Sequence, residues 1–225
     1  MKRATRIISS MAACVATLGI SSGAFAAFTG LQTEFAGVVD GRSIFRVYAV
    51  ASEADDVILN MFDHRITAGS TVGVLHADSY QDNQGGAPGH WAASYTSLAN
   101  ASRDSFVTIT GRVGSTASTT LDPSFGTGVG SDIPFNAGWY TADPGTPLVA
   151  GVVGTASGNS WRILIMQVAG NAINYDAIVS IGWKQNVGTT MASFTLNQSY
   201  GIPAPGALAL LATFGMAGRR RRLGE

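Results

Sequence analysis

The chain has 225 residues, of which 12% are charged, and 28 are glycine, a composition that favours an extracellular all-β protein over a helical cytosolic enzyme. The formal net charge of zero conceals an uneven distribution, because seven of the 14 basic residues lie near the two ends and the body between them has a net charge of −6. Such a body argues against a nucleic-acid-binding protein, which needs a clustered basic patch.

Residues 1–26 have the three parts of a secretory signal peptide and predict a signal helix. A basic start precedes an apolar stretch centred on 11–20, and Ala24 and Ala26 form a small-x-small cleavage site. We expect signal peptidase to cleave after Ala26. A first transmembrane helix would need a longer apolar stretch, and a lipoprotein signal at Cys14 would need that stretch to end at the cysteine. The chain has one cysteine, so the processed protein would contain neither disulfides nor cysteine-based zinc sites.

Runs rich in Val, Ile, Phe and Thr predict nine strands in the body. The first two flank Asp40-Gly41, a pair typical of a two-residue hairpin turn because glycine adopts positive φ without steric cost. The second run has apolar side chains on both faces, which predicts a central strand. The predicted strands cover residues 29–39, 43–51, 56–62, 70–77, 105–111, 147–154, 161–169, 176–183 and 191–198.

No amphipathic helix separates these runs, so a parallel βαβ architecture would lack its crossovers. The pattern predicts one all-β domain at 27–200, an antiparallel β-sandwich of jelly-roll or Greek-key type. Residues 78–104 and 112–147 lack a regular pattern and are predicted to be long surface loops, where binding and catalytic residues are often found.

One of these loops is rich in groups that bind metals: His76, Asp78, Asp82, Asn83 and His90. Oxygen ligands at this spacing suit calcium, but the alternating pattern and closing glutamate of an EF-hand are missing. A site built on the two histidines would need a third ligand. A solvated loop with turn-forming polar residues is the simpler interpretation. We therefore predict no cofactor, with calcium as the alternative.

Acidic side chains offer a route to an enzyme. A glycosidase needs two carboxyl groups across a cleft, and five aspartates are candidates: Asp55, Asp56, Asp78, Asp104 and Asp122. The sequence has no Gly-x-Ser-x-Gly elbow, no His-Glu-x-x-His motif and no phosphate-binding glycine loop. We therefore predict a protein without catalytic residues, and a carbohydrate-active enzyme is the alternative.

Aromatic residues near the loops raise the hypothesis of carbohydrate binding. Exposed rings of Trp91, Trp139 and Tyr140 would stack on sugar rings of an extracellular polysaccharide. In the competing interpretation Trp139 and Tyr140 close the end of the sandwich, while Trp161 and Trp183 lie in the core.

The tail, residues 201–225, does not continue the strand pattern. Pro203 and Pro205 cannot donate to a β-ladder. The apolar stretch at 206–218 is too short to cross a bilayer comfortably, and the arginines at 219–222 would stay on the cytoplasmic side. We expect a short hydrophobic helix that inserts transiently in the membrane and packs on nothing in the body.

The order of a proline motif, a short apolar stretch and a terminal arginine cluster resembles the PEP-CTERM sorting signal. The resemblance covers residues 202–222, with Pro203, Ala204 and Pro205 in place of the usual Pro-Glu-Pro. The basic cluster consists of Arg219, Arg220, Arg221 and Arg222. The resemblance implies processing by an exosortase and delivery to the cell surface or extracellular matrix of a Gram-negative-type bacterium.

The body is also similar to exported bacterial proteins that carry such tails. The similar stretches include "IFRVYAVASEADDVILNMF" and "DSFVTITG". This similarity implies a shared β fold and a surface or matrix location, and it supplies no catalytic residue.

Overall fold

The computed structural model describes residues 28–67, 89–114, 119–128, 133–143, 148–170, 175–184 and 193–202. These ranges are mostly antiparallel strands in two five-stranded sheets, so the all-β prediction is confirmed. The strands are β1 (Phe28–Val39), β2 (Arg42–Ala51), β3 (Val57–Ile66), β4 (Phe106–Val107), β5 (Thr119–Leu121), β6 (Ala137–Thr141), β7 (Thr155–Ser157), β8 (Ser160–Gly170), β9 (Tyr175–Lys184) and β10 (Ser193–Ile202). They are joined by a one-turn helix, α1 (Ala150–Val153), and by 3-10 turns at Ala93–Tyr95 and Pro123–Phe125.

The first sheet has the order β1-β2-β8-β4, and β7 also pairs with β8. Its opening hairpin turns at Asp40 and Gly41, whose φ angles are 50° and 77°. Both angles are positive, as a type I′ turn requires, and this matches the predicted turn. β2 lies between β1 and β8, so the prediction of a central strand is confirmed.

The second sheet has the order β10-β9-β3-β6-β5, and a β-bulge interrupts its central strand. Asp63 has a φ of 55°, and the register of β3 shifts there against both β6 and β9. The Arg65 guanidinium contacts the Asp63 carboxylate at 2.6 Å on the exposed side of the bulge. The bulge leaves His64 fully buried, with its ring 6.2 Å from that of Trp139.

One buried apolar cluster draws side chains from both sheets. The first sheet contributes residues such as Phe45 and Ile163, and the second contributes residues such as Met61 and Ile181. Removing these surfaces from water is the dominant stabilising contribution to a domain of this kind. The cluster therefore holds the two sheets together.

Two predicted strands differ from the structure. The run 147–154 contains α1. The Ala150 amide donates to the Asp56 carbonyl and the Gly151 amide donates to the Ala54 carbonyl, each at 2.7 Å, so these amides are not available for a β-ladder. The run 105–111 has ladder pairing only at Phe106–Val107.

Directly after β4 the Thr108 amide still donates to the Ile165 carbonyl of β8, at 2.9 Å, and beyond it threonine hydroxyls accept from the amides. The amide of Ile109 donates to the Thr119 hydroxyl at 2.9 Å, and the amide of Thr110 donates to the Thr108 hydroxyl at 3.2 Å. The predicted loop at 112–147 is also wrong in part, because it contains β5 and β6.

Several predictions fall outside the described residues. They are the signal peptide at 1–26, the tail from 203 onward, the predicted strand at 70–77, and the ligand candidates His76, Asp78, Asp82 and Asn83. The described segments include no helix with the length and apolar character that a membrane crossing requires.

The burial of His64 makes the stability of the body depend on pH. Burial lowers the pKa of His64 from 6.5 to about 4, because the charged imidazole would lose its hydration. Between these two pH values the unfolded chain binds a proton that the folded chain does not. We expect the free energy of unfolding to decrease by up to about 3 kcal/mol as the pH falls from 6.5 to 4.

Urea unfolding of the wild type and of His64→Gln across this pH range measures the effect. The glutamine does not titrate, so the variant should lose less stability on acidification than the wild type. A variant with the same pH dependence as the wild type would show that other groups cause it.

Candidate functional site

The outer face of the first sheet carries a shallow groove of about 260 Å³. Side chains alternate between the two faces of a strand. The inward residues of β2 and β8 build the core, so Arg46 and Tyr48 of β2 face outward. Leu164 and Gln167 of β8 also face outward, although they are three residues apart, because a β-bulge between them lets Ile165 and Met166 both enter the core. The strand register pairs Arg46 with Gln167 and Tyr48 with Leu164. The floor of the groove therefore consists of adjacent side chains from two interior strands.

Walls rise from this floor on more than one side. They come from the segment before β4, from β4 and the residues that follow it, and from the adjoining ends of α1 and β7. The wall residues are Ala101, Phe106, Gly111, Val113, Val153 and Thr155. The groove thus has a mixed lining, with apolar walls and charged or polar groups on the floor.

Gln167 fixes the position of Arg46. The Gln167 side-chain amide donates through Nε2 to the carbonyl oxygens of Ala101, at 2.6 Å, and Asp104, at 2.8 Å. Only the amide nitrogen can donate to a carbonyl, so Oε1 must point the other way. There it accepts a hydrogen bond from Arg46 Nε at 3.0 Å. Within the described parts of the chain, this is the only hydrogen bond of the Arg46 side chain, so Nη1 and Nη2 have no protein acceptor there.

Arg162 has a different environment in the same groove. Its Nη1 donates to Glu34 Oε2 at 2.8 Å, and its guanidinium carbon lies 4.8 Å from the centre of the Tyr48 ring. Glu34 stands directly opposite Arg46 in the strand register, yet its carboxylate pairs with Arg162. One glutamate thus faces two arginines, which leaves this part of the surface with a local positive charge in an otherwise acidic body.

Buried polar contacts hold the wall formed by residues 96–105. The Asp104 carboxylate accepts hydrogen bonds from the Thr96 hydroxyl at 3.0 Å and from the Ser105 amide at 2.9 Å. The Ser105 hydroxyl accepts from the Ala169 amide at 2.9 Å. These bonds fasten the segment to the end of β8, so the carbonyl groups that orient Gln167 are themselves fixed.

A second cavity, of about 320 Å³, lies beside His90. The His90 ring stacks on Tyr95 with centroids 3.7 Å apart, and its Nδ1 accepts a hydrogen bond from the Ala92 amide at 3.1 Å. A side chain at Gly128 would start 2.5 Å from the imidazole, so glycine is required there. The Asp122 carboxylate lines the same cavity and caps the 3-10 turn through the Ser124 amide at 2.9 Å.

Of the residues predicted as metal ligands in the histidine-containing loop, the structure describes His90, whose ring packs on Tyr95. The other predicted ligands lie outside the described residues. Among the residues with described positions, no three His, Cys, Asp or Glu side chains come together as a metal site would require.

Two of the predicted sugar-stacking residues are buried. Trp91 and Trp139 are each 1% exposed and belong to the core. Trp139 also donates through its indole nitrogen to the Thr108 carbonyl at 3.2 Å. Neither ring can contact a ligand at the surface, which corrects the prediction for both. Tyr140, the next residue of β6, faces outward with 42% exposure and stays a candidate.

Three of the five candidate carboxylates bond to backbone in their own turns. Asp104 and Asp122 do so as described above, and Asp56 accepts a hydrogen bond from the Glu53 amide at 3.2 Å while being 1% exposed. Asp55 is exposed, and Asp78 lies outside the described residues. These contacts explain the three aspartates as parts of the fold.

Comparisons of this chain with models of protein families, with curated proteins and with solved structures found no match. The functional interpretation therefore depends on the geometry of the groove and on the two chain ends.

The orienting role of Gln167 predicts a large effect on stability. In Gln167→Met the side chain keeps its approximate size, but the buried carbonyl of Asp104, the half-buried carbonyl of Ala101 and Arg46 Nε lose their partner. Unsatisfied buried groups cost about 1 to 3 kcal/mol each, so we expect a loss of at least about 2 kcal/mol in the free energy of urea unfolding.

Gln32→Met is the matched control, because Gln32 is exposed on β1 of the same sheet. That variant should change stability by less than about 0.5 kcal/mol. Equal effects of the two substitutions would contradict the role assigned to Gln167.

Proposed function

We propose that this protein is exported and acts without catalysis at the cell surface or in the extracellular matrix. The observation that carries this proposal is the tail, in which Pro203-Ala204-Pro205, an apolar stretch at 206–218 and Arg219–Arg222 follow one another. This order resembles the PEP-CTERM signal. On this proposal, signal peptidase removes residues 1–26 and an exosortase-type enzyme processes the tail after transient membrane insertion.

The boundary between body and tail supports this interpretation. β10 ends at Ile202, directly before Pro203, and so extends two residues past the predicted boundary at 200. β10 also lies at one end of the strand order in the second sheet. A chain that leaves the sheet from an edge strand can be drawn toward a membrane and cleaved without separating any strand pair.

We infer that the two sheets form an antiparallel β-sandwich of jelly-roll or Greek-key type. The shared apolar cluster supports this inference, and so does the path of the chain, which passes several times from one sheet to the other, as from β2 to β3, from β6 to β7 and from β8 to β9. A body of this kind needs no disulfide, in agreement with the single cysteine at position 14.

The structural use of the carboxylates supports a non-enzymatic function. Asp56, Asp104 and Asp122 each accept a hydrogen bond from a backbone amide in their own turn. A glycosidase would need two of its carboxyl groups free to reach a substrate. Carbohydrate binding without hydrolysis is the second candidate function, and the exposed Tyr140 and the arginine groove favour it.

Replacement of Arg219–Arg222 by serine tests the sorting role of the tail. Without positive charges to keep the chain end on the cytoplasmic side, the tail should not halt in the membrane. We expect the variant to be mislocalised or unprocessed when it is expressed in a host that has an exosortase. Immunoblots of cell fractions measure both the size and the location of the protein.

A control variant carries Arg112→Ser, which removes an exposed arginine from the body. Its processing should match that of the wild type. If the quadruple variant is displayed and processed like the wild type, the sorting interpretation fails.

A further inference from the structure

We propose that the groove on the outer face of the first sheet binds the carboxylate groups of an acidic polysaccharide, and that Arg46 contacts the carboxylate. This inference rests on the proposed function, because export is what brings the groove into contact with extracellular polymers.

Arg46 is held in a way that suits a carboxylate. Gln167 Oε1 occupies its Nε, and Gln167 cannot rotate its amide without losing the bonds to the Ala101 and Asp104 carbonyls. The Nη1 and Nη2 groups remain as a parallel pair of donors. A guanidinium presents this pair to the two oxygens of a carboxylate, and such charge-assisted pairs are among the strong hydrogen bonds. Because the side chain is already oriented, binding costs little of its conformational entropy.

Arg162 binds the neighbouring carboxylate of Glu34, so Arg46 stays available to a carboxylate from a ligand. Its ion pair with Glu34 and its position over the Tyr48 ring fix it at one side of the floor. Glu34 is the carboxylate nearest to Arg46 in the strand register, and it is engaged by Arg162 instead. An external carboxylate can thus pair with Arg46, whose guanidinium forms no ion pair with the described residues.

The sparse positive charge indicates the class of polymer. A nucleic acid needs a cluster of basic side chains, whereas the groove lining contains Arg46 and an Arg162 that is already paired with Glu34, in a body with a net charge of −6. A sugar carboxylate needs a single guanidinium, which Arg46 supplies. Sugar rings also have apolar C–H faces and polar hydroxyl edges, which match walls formed by Val113 and Val153 and the hydroxyl of Thr155.

The position of the groove disfavours an acidic peptide. Extended peptides commonly bind by adding a strand to a sheet edge, where backbone groups are available. The floor of this groove belongs to β2 and β8, which both lie inside the sheet and use their backbone groups in pairing with their neighbours. Recognition here must come from side chains, as it does for most sugar ligands.

The test measures binding of polygalacturonate to the purified full-length protein in mild detergent, by isothermal titration at low salt. Arg46→Gln should weaken binding about tenfold or more, since it removes a charge-assisted pair of hydrogen bonds. Arg65→Gln makes the same change in net charge on the other sheet, where Arg65 pairs with Asp63, and should leave binding unchanged.

Arg46→Lys separates geometry from charge. Lysine keeps the positive charge but has no planar pair of donors, so its affinity should fall between those of the wild type and Arg46→Gln. Circular dichroism confirms that each variant is folded. Equal affinity of the wild type and a folded Arg46→Gln would overturn the proposal, and so would equal losses in Arg46→Gln and Arg65→Gln.

Two other polymers test the ligand class. A neutral galactan should not bind measurably, and polyglutamate should bind more weakly than polygalacturonate. Galactan binding as tight as that of polygalacturonate would overturn the role of the carboxylate, and equally tight polyglutamate binding would overturn the assignment to a polysaccharide. The titration uses purified protein, so its result does not depend on whether the tail is processed in cells. A failure to bind polygalacturonate would likewise leave the sorting role of the tail untouched.

Discussion

The pairing of β2 with β8 is the constraint on which the rest of the structure depends. Its inward residues, such as Phe45 and Ile163, enter the core that joins the two sheets. Its outward residues, such as Arg46 and Gln167, form the floor of the groove. Side chains alternate with a period of two on each side of the β-bulge at Ile165, so a further shift of one residue in this register would exchange the two sets. Core and groove are therefore specified by the same set of backbone hydrogen bonds.

Buried polar side chains perform a second structural task in this protein. Segments between strands are fastened by side chains that bond to backbone groups, as Asp104 and Ser105 do beside β8 and Thr119 does beside Ile109. Such bonds satisfy amides that would otherwise be left without partners away from water. They also explain how Gln167 is oriented, since its acceptors belong to a segment that Asp104 has already ordered. Asp104 thus orders the segment that orients Gln167, and Gln167 in turn orients Arg46.

Local signals in the sequence were sufficient for part of this fold. The hairpin at Asp40-Gly41 and the strands β2, β8 and β9 follow from turn chemistry and runs of apolar residues. The run 147–154 has the same composition but contains α1, because its amides find acceptors at Ala54 and Asp56 instead of a neighbouring strand. A pattern of apolar residues does not specify which carbonyl groups will lie near, so this distinction required the tertiary structure.

The groove was beyond prediction for a similar reason. Arg46 and Gln167 are 121 residues apart, and neither belongs to a motif. The sugar-stacking prediction was wrong for Trp139 but not for its neighbour Tyr140, because the two side chains face opposite sides of β6. In both cases the sequence did not show on which face of the sheet each side chain lies, because that depends on how the strands pair. The alternation of Arg46 and Tyr48 in β2 was the available signal for an outward face. It indicates a groove only when the outward residues of β8 are known to lie beside them.

The two sheets divide the tasks that the proposed function requires. The tail begins directly after β10, in the second sheet, whereas the groove that contains Arg46 lies on the outer face of the first sheet. A protein that is held or cleaved at its tail and also contacts a polymer needs these two regions to act independently. Their separation on different sheets meets that need, because tension on the tail acts at the edge of one sheet while β2 and β8, inside the other, keep the register that orients Arg46.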